Sequence, residues 1–275
     1  MNFLPFGDSH THFWGKQKQF PGASLDPIIP HMYWLGPAKI YGLTNATKNQ
    51  TRERFLYIKS HLEQQNVTPI ACLGEIDIRV NCSKEFLFHG RVNHIEKLVE
   101  NYLDQLTAIK TQNIIIWGPP PSAPDEGLFA TDYPAYGNNQ IRNYLTHCFN
   151  QEIIRRILEY PKLSFITFFY NLINHDLTTK LEALEDGCHL SVAMQPVAIR
   201  FAKNMIGSGE RVVLNKNAYH TLPNYRRVFR EVTDRKNTPY INYYKKESGD
   251  LLQFFAYAPI ADVSEKLFCA DLEVI

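Results

Sequence analysis

Three residues in this chain have the types that nucleophilic catalysis needs. Ser9 lies in Gly7-Asp8-Ser9-His10, a turn that follows a short apolar run, and Asp186 and His189 stand three positions apart in Asp186-Gly-Cys-His189. A serine at a sharp strand-to-helix turn presents its hydroxyl to solvent, and a histidine oriented by a carboxylate can take that hydroxyl's proton. The D-x-x-H spacing lets one loop carry both the base and the acid that orients it, so only one loop has to dock against Ser9. Neither motif is specific alone. A G-D-S triplet arises by chance, and D-x-x-H is commonly a helix-start carboxylate followed by a surface histidine.

A competing chemistry uses metal. Asp8-Ser-His10-Thr-His12 after a first strand resembles the start of amidohydrolase-type barrels, where alternate histidines at one strand end bind zinc or a similar ion. Gly74-Glu-Ile resembles the glutamate strand of one branch of those enzymes, and 275 residues would suit a barrel. Such a site also needs later histidine and aspartate ligands, and the fourth apolar run ends in Trp117-Gly-Pro-Pro-Pro121 with none. His147 is the nearest candidate and sits inside a predicted helix. His10 and His12 are therefore expected to pack or hydrogen-bond around the turn, and no metal or other cofactor is expected.

The elements that would position these residues alternate in type. Apolar runs at 2–6, 31–35, 68–73, 113–117 and 163–170 read as strands, most of them stopped by glycine or proline. Between them, 51–65, 92–109 and 139–159 read as helices, and a further apolar-periodic helix runs to about residue 206. That alternation predicts βαβ units and a mostly parallel, helix-covered sheet. Ligands of such sheets bind at the carboxyl ends of the strands, where Gly7 to His10, Gly36, Gly74 to Arg79 and the Pro-rich loop from Gly118 all fall. From about 207 the texture changes to short β-like runs, 211–214 and 251–258, around an Arg/Tyr-rich stretch at 219–244. The expected division is a main domain over 1–206 and a small β-rich appendage over 207–275, packed on the main domain.

The order of these blocks resembles the SGNH/GDSL hydrolase family. Gly7-Asp8-Ser9-His10 looks like its first block, Gly74-Glu75-Ile76-Asp77 like its G-x-N-D block, Ile-Ile-Ile-Trp-Gly-Pro-Pro-Pro like its penultimate strand and Pro-rich loop, and Asp186-Gly-Cys-His189-Leu-Ser like its final block. The resemblance implies a three-layer α/β/α, flavodoxin-like fold, with Ser9 as nucleophile, His189 as base and Asp186 as its partner. It also implies an oxyanion hole from the Ser9 N–H and a second-block glycine N–H, Gly36 with Gly42 as the alternative. One position departs: the family's third-block asparagine falls on Ile76, and isoleucine cannot donate a hydrogen bond. Arg79, or the backbone near Gly74, is the candidate replacement. The G-E-I-D-x-R wording is similar to a subgroup that accompanies polysaccharide biosynthesis. That similarity would give Glu75, Asp77 and Arg79 the holding of the loop or of an acceptor sugar, against the plainer reading of an Asp–Arg structural ion pair.

Composition narrows the partners. With 29 basic and 28 acidic residues there is no strong field for nucleic acid or anionic membrane. Five scattered cysteines without a C-x-x-C pair suggest neither a disulfide framework nor a zinc ribbon, and no run approaches the length of a membrane-spanning helix. These features give the expectation of a cytoplasmic protein without membrane insertion. The expected activity is a serine esterase removing a small acyl group from a carbohydrate or related ester. The alternatives are a sugar O-acyltransferase using the same acyl-enzyme, a metal-dependent amidohydrolase using Asp8, His10 and His12, and a non-catalytic SGNH-like binding protein.

Overall fold

Runs of β-branched and aromatic residues form the sheet, as such side chains suit a pleated, buried surface. The structure is a computed structural model that describes residues 2–14, 32–44, 50–125, 133–185, 187–221, 241–242 and 272–274. Six parallel strands, β1 (Phe3–Gly7), β2 (Tyr33–Trp34), β3 (Thr68–Cys72), β4 (Ile114–Trp117), β6 (Leu163–Ile166) and β7 (Val212–Asn215), lie in the order β2-β1-β3-β4-β6-β7. A last strand, β9 (Leu272–Val274), adds antiparallel to β7. Two short strands, β5 (Ala135–Tyr136) and β8 (Ile241–Asn242), pair apart from this sheet.

This is the flavodoxin-like, doubly wound order, as expected from the resemblance, extended by a sixth parallel strand and by the antiparallel β9. The helices are α1 (Ile40–Thr44), α2 (Gln50–Gln64), α3 (Ser83–His89), α4 (Asn93–Thr107), α5 (Asn139–Arg156), α6 (Gln195–Ser208) and α7 (Lys216–Thr221). Strand residues alternate between two cores. Leu4, Phe6, Ala71, Ile114, Ile116, Phe165 and Leu214 pack with Phe55, Val99, Leu103, Leu145 and Phe149 of α2, α4 and α5. Phe3, Ile70, Cys72, Ile115, Trp117 and Val213 face the other way, onto Val197, Ala198, Ala202 and Met205 of α6. Helices thus cover both faces, which is what lets the strands be apolar throughout. An open sheet of this kind is not a closed barrel, so the amidohydrolase-barrel alternative is corrected at the level of fold.

The boundary placed at 206 falls inside the sheet-forming unit. Residues 211–214 read as appendage, but Val212–Asn215 is fully buried and pairs in parallel with β6, Phe165 with Val212 and Ile166 with Val213. The run is short, and Gly207-Ser-Gly209 before it ends α6 and marks a turn without saying which sheet the next strand joins, so its membership of the main sheet is a tertiary fact. Most of 219–244 and all of 251–258 lie outside the described residues. Among the described residues, no helix is long and apolar enough to cross a membrane.

Candidate active site

At the point where the strand order reverses, the chain leaves β1 for β2 on one side while β3 lies on the other, and sheets of this kind bind ligands beyond the carboxyl ends of such strands. Ser9 sits there. Gly7 brings β1 so close to β3 that a Cβ on it would stand 1.9 Å from the Cys72 carbonyl oxygen. The Asp8 N–H donates to that same oxygen at 3.1 Å, and Asp8 then caps a 3-10 turn, Ser9–Phe13, its Oδ1 accepting from the His10 N–H at 3.0 Å. Ser9 is the first residue of that turn, where an N–H has no acceptor within the turn. Burial pushes the Asp8 carboxyl up to about 6, against the opposing pull of His10.

The loop that carries His189 is closed on itself. Leu184 and Leu190 form an antiparallel bridge, the Glu185 N–H donates to the His189 carbonyl at 2.8 Å, and Glu185 Oε2 accepts from the Val192 N–H at 3.3 Å. This brings His189 Nε2 to 2.9 Å from Ser9 Oγ across 180 residues of sequence. The His10 ring packs against that of His189, centroids 4.9 Å apart. Asp186 lies outside the described residues.

The other predicted blocks gather around this pair with different roles. The Leu35 N–H donates to the Gly7 carbonyl at 2.7 Å, which sets Gly36, at φ +89°, beside the Ser9 turn. The alternative, Gly42, uses its N–H on the Lys39 carbonyl at 2.9 Å, inside the region of α1. Gly74 ends β3's path and its carbonyl accepts from the Ile78 N–H at 2.9 Å, opening a helical stretch that passes through a π-helical segment, Asp77–Cys82, into α3. Here the sequence reading of an Asp–Arg pair is corrected: Arg79 Nε lies 2.7 Å from Glu75 Oε1, an i, i+4 pair, and Arg79 Nη1 donates to the Tyr133 carbonyl. That spacing was visible in the sequence and a helix there was not. Asp77 instead accepts the Ile40 N–H at 2.7 Å, holding the start of α1; burial raises its carboxyl to about 7 although the Ile40 and Tyr41 N–H groups favour its ionised form. Ile76 is buried. Arg79's guanidinium is held by both carboxylate oxygens of Glu75 and by the Tyr133 carbonyl.

Glu75 also faces His10, with Oε2 3.8 Å from Nε2. Burial works against an ionised Glu75, but Arg79 and His10 outweigh it and hold the carboxyl well below the usual range. For His10, burial alone would lower the ring's affinity for a proton; Glu75 and Asp8 overcome it and raise it.

The Pro-rich loop after β4 is held from α5 by residues that the sequence reading did not single out. Fully buried Arg142 donates from Nε to Ser122 Oγ at 2.6 Å and from Nη2 to the Ala123 carbonyl at 2.8 Å. Asn143 Oδ1 accepts the Ser122 N–H at 2.8 Å, and Asn139 Nδ2 donates to the Ser122 carbonyl at the same distance. Polar residues on the buried side of an otherwise helical run were the available signal. In the core Phe13 stacks on Trp117 and Trp14 meets both edge-on, whereas Trp34 is 46% exposed and meets His12 edge-on.

Asp8, His10 and His12 do not converge as the metal reading required, because Asp8 turns back onto the His10 N–H and His12 faces Trp34. His147 lies within α5, its ring nitrogen 3.1 Å from the Tyr170 hydroxyl, and burial lowers it to about 4. A different group meets: among the described residues, ligand atoms of His10, Cys188 and His189 all lie within 4.8 Å of one another.

Fold and site together define a class, a doubly wound α/β sandwich with a serine–histidine pair at its switch point. No family model matches the chain, and comparison with curated proteins gives no match. Solved structures that overlay on it include an aryl esterase of M. smegmatis (16% identity, 75% of this chain and 98% of that one, TM-score 0.43). A carbohydrate acetylesterase of Sinorhizobium meliloti, Est24, overlays at 17% identity, 74% and 98% coverage and TM-score 0.41. A putative arylesterase of Agrobacterium tumefaciens str. C58 does so at 17% identity, 76% and 99% coverage and TM-score 0.41. The class stands on the chain's own strand order and on the Ser9–His189 contact.

Proposed function

We propose that the protein is a serine-dependent carboxylic ester hydrolase of SGNH type, acting on a small acyl group carried by a carbohydrate or related alcohol. The observation that carries this reading is the 2.9 Å contact between Ser9 Oγ and His189 Nε2 at the carboxyl end of β1. Ser9 Oγ attacks the acyl carbon while His189 takes its proton, and the carbonyl electrons move onto oxygen. Collapse of that intermediate expels the alcohol oxygen, which takes the proton back from His189. Water then attacks the acyl-enzyme with His189 again as base, releasing the acid and restoring Ser9. Asp186 is assigned the orientation of His189, and the N–H groups of Ser9 and Gly36 the oxyanion.

A side-chain donor to the oxyanion is worth about 2.7–4 kcal/mol. With buried Ile76 in that place, the reading predicts slow turnover of simple esters. Exposed Trp34, two residues before Gly36, supports a sugar as the alcohol half of the substrate, since an indole face stacks well on a pyranose. Hydrolysis of p-nitrophenyl acetate by wild type and Ser9→Ala, with a fluorophosphonate probe located by mass spectrometry, tests the mechanism. The expected result is labelling at Ser9 and a loss of about four or more orders of magnitude in kcat for the variant. A variant as active as wild type would overturn it, and absence of both labelling and activity would favour the binding protein.

A further inference from the structure

His10, Cys188 and His189 bring two imidazoles and a thiol to one place, with their ligand atoms within 4.8 Å of one another. Two nitrogens and a sulfur are a zinc ligand set. In a tetrahedral zinc site, with bonds of about 2.0–2.1 Å to nitrogen and 2.3 Å to sulfur, such atoms stand about 3.3–3.6 Å apart. The three must therefore close by roughly 1 Å. Cys188 and His189 sit on the loop with Gly187, where among the described residues no atom outside the adjoining residues lies within 4 Å of the position a Cβ would take, and both are only partly buried, so an ion can enter. His10 is buried and already has a carboxylate beside its ring, Glu75, 3.8 Å from Nε2, which is the kind of partner that orients metal-bound imidazoles.

We propose that His10, Cys188 and His189 form a zinc site that switches the enzyme off by occupying its general base. This rests on the reading of His189 as that base. On binding, the Cys188 thiol gives up its proton to water, and zinc gains one sulfur–metal and two nitrogen–metal bonds with a fourth position left for water. The inhibition does not depend on which His189 nitrogen the ion takes. Bound at Nε2, it uses the lone pair that would accept the Ser9 proton. Bound at Nδ1, it leaves the neutral ring's hydrogen on Nε2, which then only donates. Either way Ser9 has no base.

Two measurements on the full chain test this. Cobalt(II), a spectroscopic stand-in for zinc, is titrated into wild type, Cys188→Ala and His10→Asn while the near-ultraviolet thiolate-to-metal band is followed, with zinc affinity then read by competition. In parallel, ester hydrolysis by each variant is measured in excess zinc and in EDTA, and the ratio of the two rates is compared. A one-to-one thiolate–cobalt band in wild type is expected, absent in Cys188→Ala. Zinc affinity should weaken in both variants by more than the 10- to 100-fold that loss of an outer partner costs, and zinc inhibition should be relieved in both. Equal zinc affinity in wild type and Cys188→Ala, no thiolate band in wild type, or stimulation by zinc would each overturn the proposal. A full band in a protein with no Ser9-dependent activity would uphold the metal site and overturn the hydrolase reading instead.

Discussion

Asp77 shows how a residue's type can be read correctly while its task is missed. The sequence marks it as a polar group in a strand-end block, and spacing alone suggests a pair with Arg79; the folded chain gives Arg79 to Glu75 and Asp77 to the Ile40 N–H. Its titration gives a test. Burial raises its carboxyl from 3.8 to about 7, and that of Asp8 from 3.8 to about 6. A carboxyl raised by folding holds its proton in the native state where the unfolded chain has lost it, so stability falls as pH rises from about 4 towards 7. Asp77→Asn keeps an oxygen for the Ile40 N–H and removes the titration. Urea unfolding at pH 5 and pH 8 should show the variant gaining on wild type at the higher pH, by a few kcal/mol at most at 1.36 kcal/mol per unit. A difference that does not change with pH would sink this account of Asp77. Ser9 and His189 were legible at this scale because their motifs recur in order, whereas the approach of His10 to Glu75 and of Cys188 to both histidines depends on contacts across the fold that no spacing encodes.

At the scale of elements, apolar periodicity located α2 and α4 to within a few residues and apolar runs the first five parallel strands, because apolar stripes and runs are what bury, whereas α5 lies where a helix was expected but buries polar residues such as Arg142 and Asn143. The sequence assigns no element to the helical stretch from Asp77 through α3. Its helix-forming pattern is short, and its stability comes from packing on α5 and from the Glu75–Arg79 pair. Close approach was also beyond the sequence. Gly7 was read as a turn residue, yet its larger role is to let β1 and β3 meet at the Cys72 carbonyl, 1.9 Å from where a Cβ would stand. Gly7→Ala must therefore push apart two central strands, and a loss beyond about 4 kcal/mol is expected. Gly187→Ala is resisted by its positive φ, with nothing among the described residues within 4 Å of the added carbon, and should cost about 1–3 kcal/mol. Thermal denaturation of the two variants decides the matter, and equal melting temperatures would show that the β1–β3 contact is not what Gly7 serves.

For the whole molecule the question is where the cooperative unit ends. The change of texture near 207 suggested an appendage, but β7 extends the sheet beyond β6, and Val212, Val213 and Leu214 divide between its two cores. Full burial of one such side chain is worth about 1.5–3 kcal/mol, so three contribute about 5–9 kcal/mol, comparable with the roughly 5–15 kcal/mol that holds a typical protein folded. A chain cut after residue 206 should therefore lose cooperative unfolding, and one cut after 221, which keeps β7, should retain more of it. Calorimetry of both truncations checks this. A sharp, unshifted transition in the shorter chain would restore 206 as a true boundary. Loss in both would mean that the partner strand Leu272–Val274, paired with β7, belongs to the same unit. The loop bearing His189 stands between β6 and α6, and α6 packs on β7, so the contact that brings His189 to Ser9 depends on the very strand that the sequence reading had assigned elsewhere.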